Sequence, residues 1–540
     1  MHEILIENLD KIIEQKKESY QEDIMKFKEI GHQFLNGEIT SAQFKATSGG
    51  MGVYAQRGGK EFMIRLRILS GVLDLETLKL VKDFTREYSL QFVHLTTRQT
   101  IQLHNLQFDD IIHIMEKSQE HNLFTKGGGG NFPRNISLSP LSGVEKEEAF
   151  DVTPYAILIN KYFLSRMNTY RLPRKFKVAF SNNFEDTANA TIADLGFLAV
   201  TEEGRNYFRG YLGGGLGANA NIAVPFGDRI KSEEVLYHVE AALSLFVEEG
   251  DFENKGKARM RYILRRMGQE DFLQCYREHL DRVKKEMKLD FAITEELEAE
   301  KDKKFTKTSS EIITEPIRLS SSCVIEQKQD GFYTVVIHPQ GGMLRTEDYN
   351  NIVTFLEQVP KARVRLSMEE SMYIRNLTEV QVQELMEITK DLRKTTRLSR
   401  SICCIGVPIC QIGIQESQLL LMNILDYFEE RGLTEDVLPS LSISGCVNSC
   451  GRHQVNQIGL QGKKKRVGDA TEDAYTLFIG GKTSEVNSQL ALEYGDLLAS
   501  TIPSFLYELA MQLKEKGIEF DDYLIRHPEE FNTIVKQYQV

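Results

Sequence analysis

The sequence predicts an α+β protein that is internally duplicated. Two small strand–helix–strand half-domains and two larger α/β domains with mixed sheets are expected in a pseudo-twofold arrangement. Two repeats carry this expectation. FMIRLRILSGVLDLETLKLVKDF from Phe62 parallels YTVVIHPQGGMLRTEDYNNIVTF from Tyr333, and LTTRQTIQLHNL from Leu95 parallels LSMEESMYIRNL from Leu366. Both pairs align without gaps at one constant offset, so that Gly71 meets Gly342 and Asn105 meets Asn376. RLPRKFKVAFSNNFEDTANATIADLGFL from Arg171 parallels VLPSLSISGCVNSCGRHQVNQIGLQG from Val437. The order is A–B–A′–B′. Duplicated halves pack about a pseudo-twofold axis, and ligands favour such interfaces.

Taken in order, residues 1–45 read as an N-terminal helical arm. Residues 46–116 and 318–388 are the two small units: an alternating run, an amphipathic stretch, then another alternating run. Residues 120–300 and 395–540 are the larger domains. Each has Leu-Pro, a strand-like alternation, a small-residue turn, a short polar helix and a closing strand with Gly196 or Gly459. The charged stretch from Ile293 to Glu311 reads as a linker or surface helix.

With 540 residues there is room for three or more domains. The composition, 41% apolar and 27% charged, is that of a globular protein. A net charge of −12 argues against a large nucleic-acid footprint, which needs a basic face. No apolar stretch is long enough to span a membrane, and the start lacks an apolar leader, so a cytoplasmic location is expected.

Of the 7 cysteines, four crowd into two Gly-rich segments, CIGVPIC (Cys404, Cys410) and SGCVNSCG (Cys446, Cys450). In a cytosolic protein such a group points to metal or catalysis before disulfides. Four thiolates from two loops can hold one iron–sulfur cube. A structural zinc is the alternative. It favours C-x2–4-C, which C-x3-C fits and C-x5-C does not. Cys403 and Cys404 are adjacent, and spacing alone does not choose between them. Cys275 and Cys323 are expected to be ordinary buried thiols.

The halves differ in charge. Arg98 stands where the second copy has Glu369, and Lys175 and Lys177 are matched with Leu441 and Ile443. In an extended segment, Lys175 and Lys177 would face the same side.

The segments C-x-G-x-x-x-C and G-C-x-N-S-C-G resemble the cluster motifs of the sirohaem-dependent sulfite and nitrite reductases. MGVYAQ, FMIRLRI, HLTTRQTIQLHNL, RNISLSPLSG, LPRKFK and FIGGK add to the likeness, from about Phe44 to Phe520. The resemblance implies ferredoxin-like half-domains and a [4Fe–4S] cluster on Cys404, Cys410, Cys446 and Cys450. It takes Cys404 over Cys403, and it makes Cys450 the axial ligand of a sirohaem iron as well. It further implies an anion pocket of Arg98, Arg134, Lys175 and Lys177. By the same analogy Arg65, Arg67, Gln99, Gln102, Gly480, Gly481 and Lys482 are expected to meet the sirohaem carboxylates.

No dinucleotide, flavin or phosphate-loop motif completes itself. The glycines at Gly127–Gly130 and Gly213–Gly215 lack the frame, and GGKTS at Gly480 lacks the upstream glycine. A donor protein, ferredoxin or flavoprotein, is therefore expected, docking at Lys463-Lys464-Lys465-Arg466. Two departures stand out. Val447 replaces the proline usual after the third cysteine, and Glu369-Glu370 replaces donor side chains, so an ionised Glu there could not serve the cofactor. The paired lysines resemble sulfite reductases, which favours sulfite reduction to sulfide, with nitrite to ammonia next. The one-chain site fits an assimilatory enzyme. A sirohaem or iron–sulfur sensor or carrier is the non-catalytic alternative.

Overall fold

The computed structural model describes residues 9–291, 322–392 and 396–540. The expected linker Ile293–Glu311 and residues 1–8 of the arm lie outside the described residues. Four five-stranded sheets form the protein. The expected fold class, a duplicated α+β architecture with mixed sheets, is the one observed.

In the first half-domain Phe62, Ile64 and Leu66 point inward from the strand Phe62–Leu66 while Met63 and Arg65 are half-exposed. That alternation is what a strand with one buried face requires. The helix Leu75–Glu87 starts where Asp74 accepts from the Thr77 N–H at 2.7 Å, and it buries Leu78, Val81 and Phe84. The sheet order is Val53–Ala55, Phe62–Leu66, Ile101–Leu106, Phe92–Leu95 and then Met343–Arg345, the last donated by the second half-domain. The second sheet repeats this order and ends on Val72–Leu73, donated by the first. Leu344 pairs with Val93, and Leu73 pairs with Val364, so the exchange is reciprocal. One apolar cluster fills both half-domains and also takes in Tyr20, Ile24, Phe27 and Phe44 of the N-terminal helices. The helices Leu75–Glu87 and Thr346–Gln358 cross at the axis, where the Tyr349 hydroxyl donates to the carbonyl of its own counterpart, Leu78, at 2.9 Å.

Each larger unit has a mixed sheet. In the first, Ser137–Leu138, Val178–Ser181 and Leu195–Glu202 run parallel in sequence, followed by antiparallel Arg205–Leu212 and Val224–Lys231. In the second the same places belong to Ile402–Cys403, Leu441–Ser444, Ile458–Val467, Ala470–Ile479 and Leu492–Leu498. The register corrects one sequence match. Gly196 pairs with Ala179 and Gly459 with Ser442, which makes Val178–Ser181 the counterpart of Leu441–Ser444. Arg174 to Lys177 separate Pro173 from its strand, whereas Ser440 alone separates Pro439 from its own. Leu441 and Ile443 are therefore not the counterparts of Lys175 and Lys177, which arrive on an extra stretch in the first copy.

Gly196 and Gly459 play one role twice. A Cβ at Gly196 would stand 2.0 Å from the Ala190 carbonyl oxygen, and one at Gly459 would stand 1.9 Å from that of His453. Each carbonyl belongs to the tight turn that follows the polar loop, and neither can rotate away. Gly196→Ala and Gly459→Ala should each cost about 3 kcal/mol or leave the protein insoluble, whereas Gly256→Ala, beside only a flexible Asn254 side chain, should leave the thermal midpoint nearly unchanged. Differential scanning fluorimetry of the three variants checks this.

Candidate active site

Two loops of the second larger unit gather the four cysteines. The Cys404 N–H donates to the Ile443 carbonyl at 3.0 Å, which seats the first loop beside the strand leading to Cys446. Gly406 turns the chain at φ +57, where a Cβ would strike the Ser417 hydroxyl, and the Cys410 N–H closes the loop on the Gly406 carbonyl at 2.8 Å. Donors already face the sulfurs. The Gly445 N–H points at Cys404 Sγ at 3.1 Å, and the Asn448 amide at Cys446 Sγ at 3.4 Å. Burial, opposed by those donors, pushes the Cys404 thiol up to about 12, with Cys450 adding to the rise. Burial also raises Cys410 and Cys446, and Cys450 lies within electrostatic reach of both. Cys403 points the other way, into the apolar core, and is fully buried. Cys323 is buried as expected, but Cys275 is only half-buried.

The cationic residues come from the first half. In the loop Thr96–Thr100 the Thr97 hydroxyl donates to the Cys450 carbonyl at 2.9 Å, which ties this loop to the fourth cysteine. Arg98 donates from Nη1 to Ser137 Oγ at 2.5 Å and from Nη2 to the Asn135 carbonyl. Arg134 is held by the Gly128 and Gly130 carbonyls at 3.1 and 2.8 Å. Lys175 and Lys177 flank Phe176, which is fully buried, so both side chains leave the same side of the segment. Burial, then Arg259 and Arg134, depresses the Lys175 ammonium group, which Cys450 raises; burial, then Arg98, Lys175 and Arg259, depresses Lys177, which Asp194 raises. Burial, then Arg134, lowers Arg98 in the same way.

Sequence reasoning missed Asp194 and Arg259. Asp194 is fully buried and accepts from Arg259 Nη2 at 2.9 and 3.0 Å and from the Lys177 backbone N–H at 2.9 Å. KARMRYILRRM carries so many basic residues that nothing in it distinguishes Arg259 from a solvated face. The loop at Gly213–Gly217 was also missed. It meets the segment after Cys446: Gly217 exchanges hydrogen bonds with the Gln454 amide at 2.9 and 3.1 Å, and its Cα faces the Val447 carbonyl.

Several expected cofactor contacts are placed otherwise. Arg67 lies just past its strand, fully buried, and donates to the Pro133 and Arg134 carbonyls and to Asn160. Gln99 is fully buried too. Its amide donates to the Leu138 and Leu366 carbonyls at 2.7 Å, and its oxygen accepts from the Leu138 N–H at 2.8 Å. Both brace the framework, with every side-chain polar atom except Arg67 Nε engaged inside the protein. Gln102 lies between His94 and Arg65, its oxygen 2.9 Å from Arg65 Nε, while Arg65 also donates to the Gly128 carbonyl. The Gly480–Lys482 loop is the counterpart of Gly213–Gly215. Gly480 and Gly481 donate to Gln457 and Asn456 as Gly213 and Gly214 do to Asp194 and Ala193. Beyond it, Glu485 and Ser488 meet Phe184 and Thr191 of the first unit. The glycine loop lying on the cysteine segment is therefore Gly213–Gly217, while the chain continuing from Gly480–Lys482 lies on the first unit.

The basic run expected to dock the donor is paired within its own ribbon. Lys463 and Lys465 both pair with Asp496, Lys464 pairs with Asp473 and Arg466 with Asp469. These acids lie across the antiparallel ribbon or in its turn and offset part of the field a partner would sense.

With this geometry in hand, comparison with known proteins gives a concordant result. The description "Nitrite/Sulfite reductase ferredoxin-like half domain" matches twice, at residues 54–121 and 325–392. "Nitrite and sulphite reductase 4Fe-4S domain" matches residues 129–284. The chain belongs to the nitrite and sulfite reductase family. That second match covers the cationic unit. A ferredoxin–nitrite reductase of Synechococcus elongatus is 27% identical over 433 residues, 78% of this chain and 80% of that protein. A sulfite reductase [ferredoxin] of Mycolicibacterium paratuberculosis is 25% identical, covering 79% of this chain and 74% of its own length. The solved structure of Mycobacterium tuberculosis NirA shares the fold, with a TM-score of 0.74 over 92% of each chain at 21% identity.

Family membership implies a [4Fe–4S] cluster and sirohaem as cofactors. The residues fit both groups. The fold crowds thiols whose ionisation is mutually opposed, a conflict that bound iron relieves. On the cationic side Arg98 Nε and Arg134 Nε are buried donors without a partner, as a site built for an absent polyanion leaves them. Among the described residues no three His, Cys, Asp or Glu converge on a single metal ion.

Glu370 resolves the doubt raised by its charge. It is the counterpart of Gln99, and its Oε2 accepts from the Cys403 N–H at 3.0 Å just as Gln99 accepts from Leu138. Burial raises its carboxyl from 4.5 to about 8, so it is neutral and can donate. Its contribution to stability is full below pH 4.5 and is lost as pH rises towards 8. Glu370→Gln should remove that loss. The variant's thermal midpoint should exceed that of the unmodified holoprotein at pH 8 and match it near pH 4.5, and parallel pH curves for the two proteins would contradict the assignment.

Proposed function

We propose that the protein catalyses the six-electron reduction of sulfite to sulfide at a sirohaem joined to a [4Fe–4S] cluster. In this reading Cys404, Cys410, Cys446 and Cys450 hold the cluster, Cys450 also meets the sirohaem iron, and Arg98, Arg134, Lys175 and Lys177 form the anion pocket. The observation that carries the proposal is the bond from Thr97 to the Cys450 carbonyl, which sets the cationic loop of one half on the thiol loop of the other.

When bound, the two cofactors supply the electrons and a metal position for the anion. The chain supplies the rest. Arg98 and Arg134 are gripped by backbone carbonyls and Ser137, so their remaining N–H groups are pre-aimed at an oxyanion. Lys175 and Lys177 are compact charges whose depressed affinity for protons suits them to release one as an oxygen leaves as water. Reduction draws in protons as well as electrons, and these groups sit where both are needed. A sensor or carrier has no use for such a set of cations.

Sulfite is preferred over nitrite on charge. The pocket gathers Arg98, Arg134, Lys175, Lys177 and Arg259 around the single carboxylate of Asp194, and sulfite can carry twice the charge of nitrite. The relatives named as nitrite reductases favour nitrite as the second reading. An external ferredoxin-type carrier is proposed as electron source, as in the relatives' names.

The test is a pair of steady-state rates with reduced methyl viologen as donor. Reconstituted holoprotein should show a higher kcat/KM for sulfite than for nitrite, and Lys177→Gln should lower the sulfite value about a hundredfold. Faster nitrite turnover would reverse the substrate assignment. Turnover of neither anion by protein carrying both cofactors would refute the enzyme reading.

A further inference from the structure

The anion pocket contains one element that its cationic chemistry does not explain. Asp194 is a fully buried carboxylate paired with Arg259. Its carboxylate takes two hydrogen bonds from Arg259 Nη2 and one, at 3.3 Å, from Nε. The same carboxylate accepts the Lys177 N–H, and the Asp194 backbone carbonyl accepts the Gly213 N–H at 2.9 Å. One residue thus joins the lysine segment, Arg259 and the glycine loop that lies against the cysteine segment. The thiol half has Gln457 at the corresponding place, where the Gly480 N–H meets its carbonyl. The side chain there is an uncharged amide. A charge is found only in the half that holds the cations.

We infer that Asp194 is a positioning residue: its carboxylate fixes the Lys177 backbone against the Arg259 guanidinium and supplies a counter-charge to the Lys177 side chain. The inference rests on the anion-pocket reading above. The charged groups facing Lys177 are Arg98, Lys175 and Arg259, which disfavour its ammonium form, and Asp194, which favours it. Burial works against the charge as well. Asp194 offsets these effects. Arg259 has two opposed roles. It anchors the carboxylate through a bidentate fork, and it repels Lys177.

This geometry makes the two neighbours act in opposite directions. Asp194→Asn keeps the shape and can still accept the Lys177 N–H, but it removes the counter-charge. Lys177 then loses its proton at lower pH, so the alkaline limb of anion binding moves down by about one pH unit. Arg259→Gln removes a repelling cation, and the same limb moves up. A residue that only supported the fold would move both limbs the same way or neither.

The experiment uses reconstituted holoprotein with inorganic phosphate as a non-reacting anion, its Kd followed through the visible bands of the protein from pH 6 to 10. Asp194→Asn should weaken phosphate about tenfold at the alkaline end and leave it nearly unchanged at the acid end. Arg259→Gln should show its limb displaced to higher pH. In the Lys177→Gln background neither substitution should move the limb that Lys175 and phosphate itself leave. Displacement of both limbs in one direction, or a displacement that persists in the Lys177→Gln background, overturns the inference. Should Asp194→Asn not fold, the Arg259→Gln and Lys177→Gln profiles still decide it. Phosphate binding requires no turnover. Opposed shifts in a protein that reduces neither sulfite nor nitrite would therefore reject the proposed reaction and leave the role of Asp194 standing.

Discussion

The structure depends on an exchange of edge strands. Met343–Arg345 completes the first half-domain's sheet, and Val72–Leu73 completes the second's. Neither sheet is whole without its counterpart, so the two copies cannot drift relative to one another. The glycines next to these strands show how tight the exchange is. A Cβ at Gly71 would come 2.8 Å from the Leu366 carbonyl, and one at Gly342 would come 2.4 Å from its counterpart, the Leu95 carbonyl. Both glycines also hold positive φ, +75 and +74, which other residues adopt only under strain. Because the half-domains are locked, the loop after Phe92–Leu95 always meets the loop bearing Cys450, and Thr97 secures that meeting.

What this locking brings together is electrostatically costly. Arg98, Lys177 and Arg259 face the Asp194 carboxylate on one side, and four thiols crowd a pair of loops on the other. Burial disfavours charge in both groups, and like neighbours add to the effect. Such an arrangement is tolerable only when strong local structure holds it, which the carbonyl grips on Arg98 and Arg134 and the N–H groups aimed at sulfur provide. Cofactor binding then relieves rather than creates the strain, and binding energy becomes folding energy. The same preorganisation serves catalysis, since the donors need no reorientation when an anion arrives.

The duplication was legible because its first repeat has no gaps, so that Gly71, Gly342, Asn105 and Asn376 announce themselves by position. The cysteine loops were legible because small residues and thiols at fixed spacing have few other uses. Failures came where meaning depends on partners far away in sequence. Lys463 to Arg466 reads as an open positive patch in the sequence, whereas Asp473 and Asp496 on neighbouring strands offset part of its charge. Gly213–Gly217 and Gly480–Lys482 are near-equal as strings, and only the crossing of the two units decides which one lies on the cysteine segment. Lys175 and Lys177 were matched to the wrong residues because an alignment anchored on Leu-Pro hides the extra length between Pro173 and its strand.

Gln99 and Glu370 show how a duplicated frame lets its two halves diverge. Both adopt positive φ, 53 and 60, at corresponding turns, and both must accept a hydrogen bond from the next unit's strand, at Leu138 or Cys403. That shared demand needs only an oxygen. The amide of Gln99 spends its remaining hydrogens on two carbonyls, one of them across the axis. Glu370 can imitate it only with a proton, and its burial supplies the means by raising the carboxyl to about 8. The site therefore holds a neutral acid next to the segment that carries Cys404. A charged Glu in that place would set a buried anion beside four thiolates, which the fold avoids by keeping the carboxyl dry.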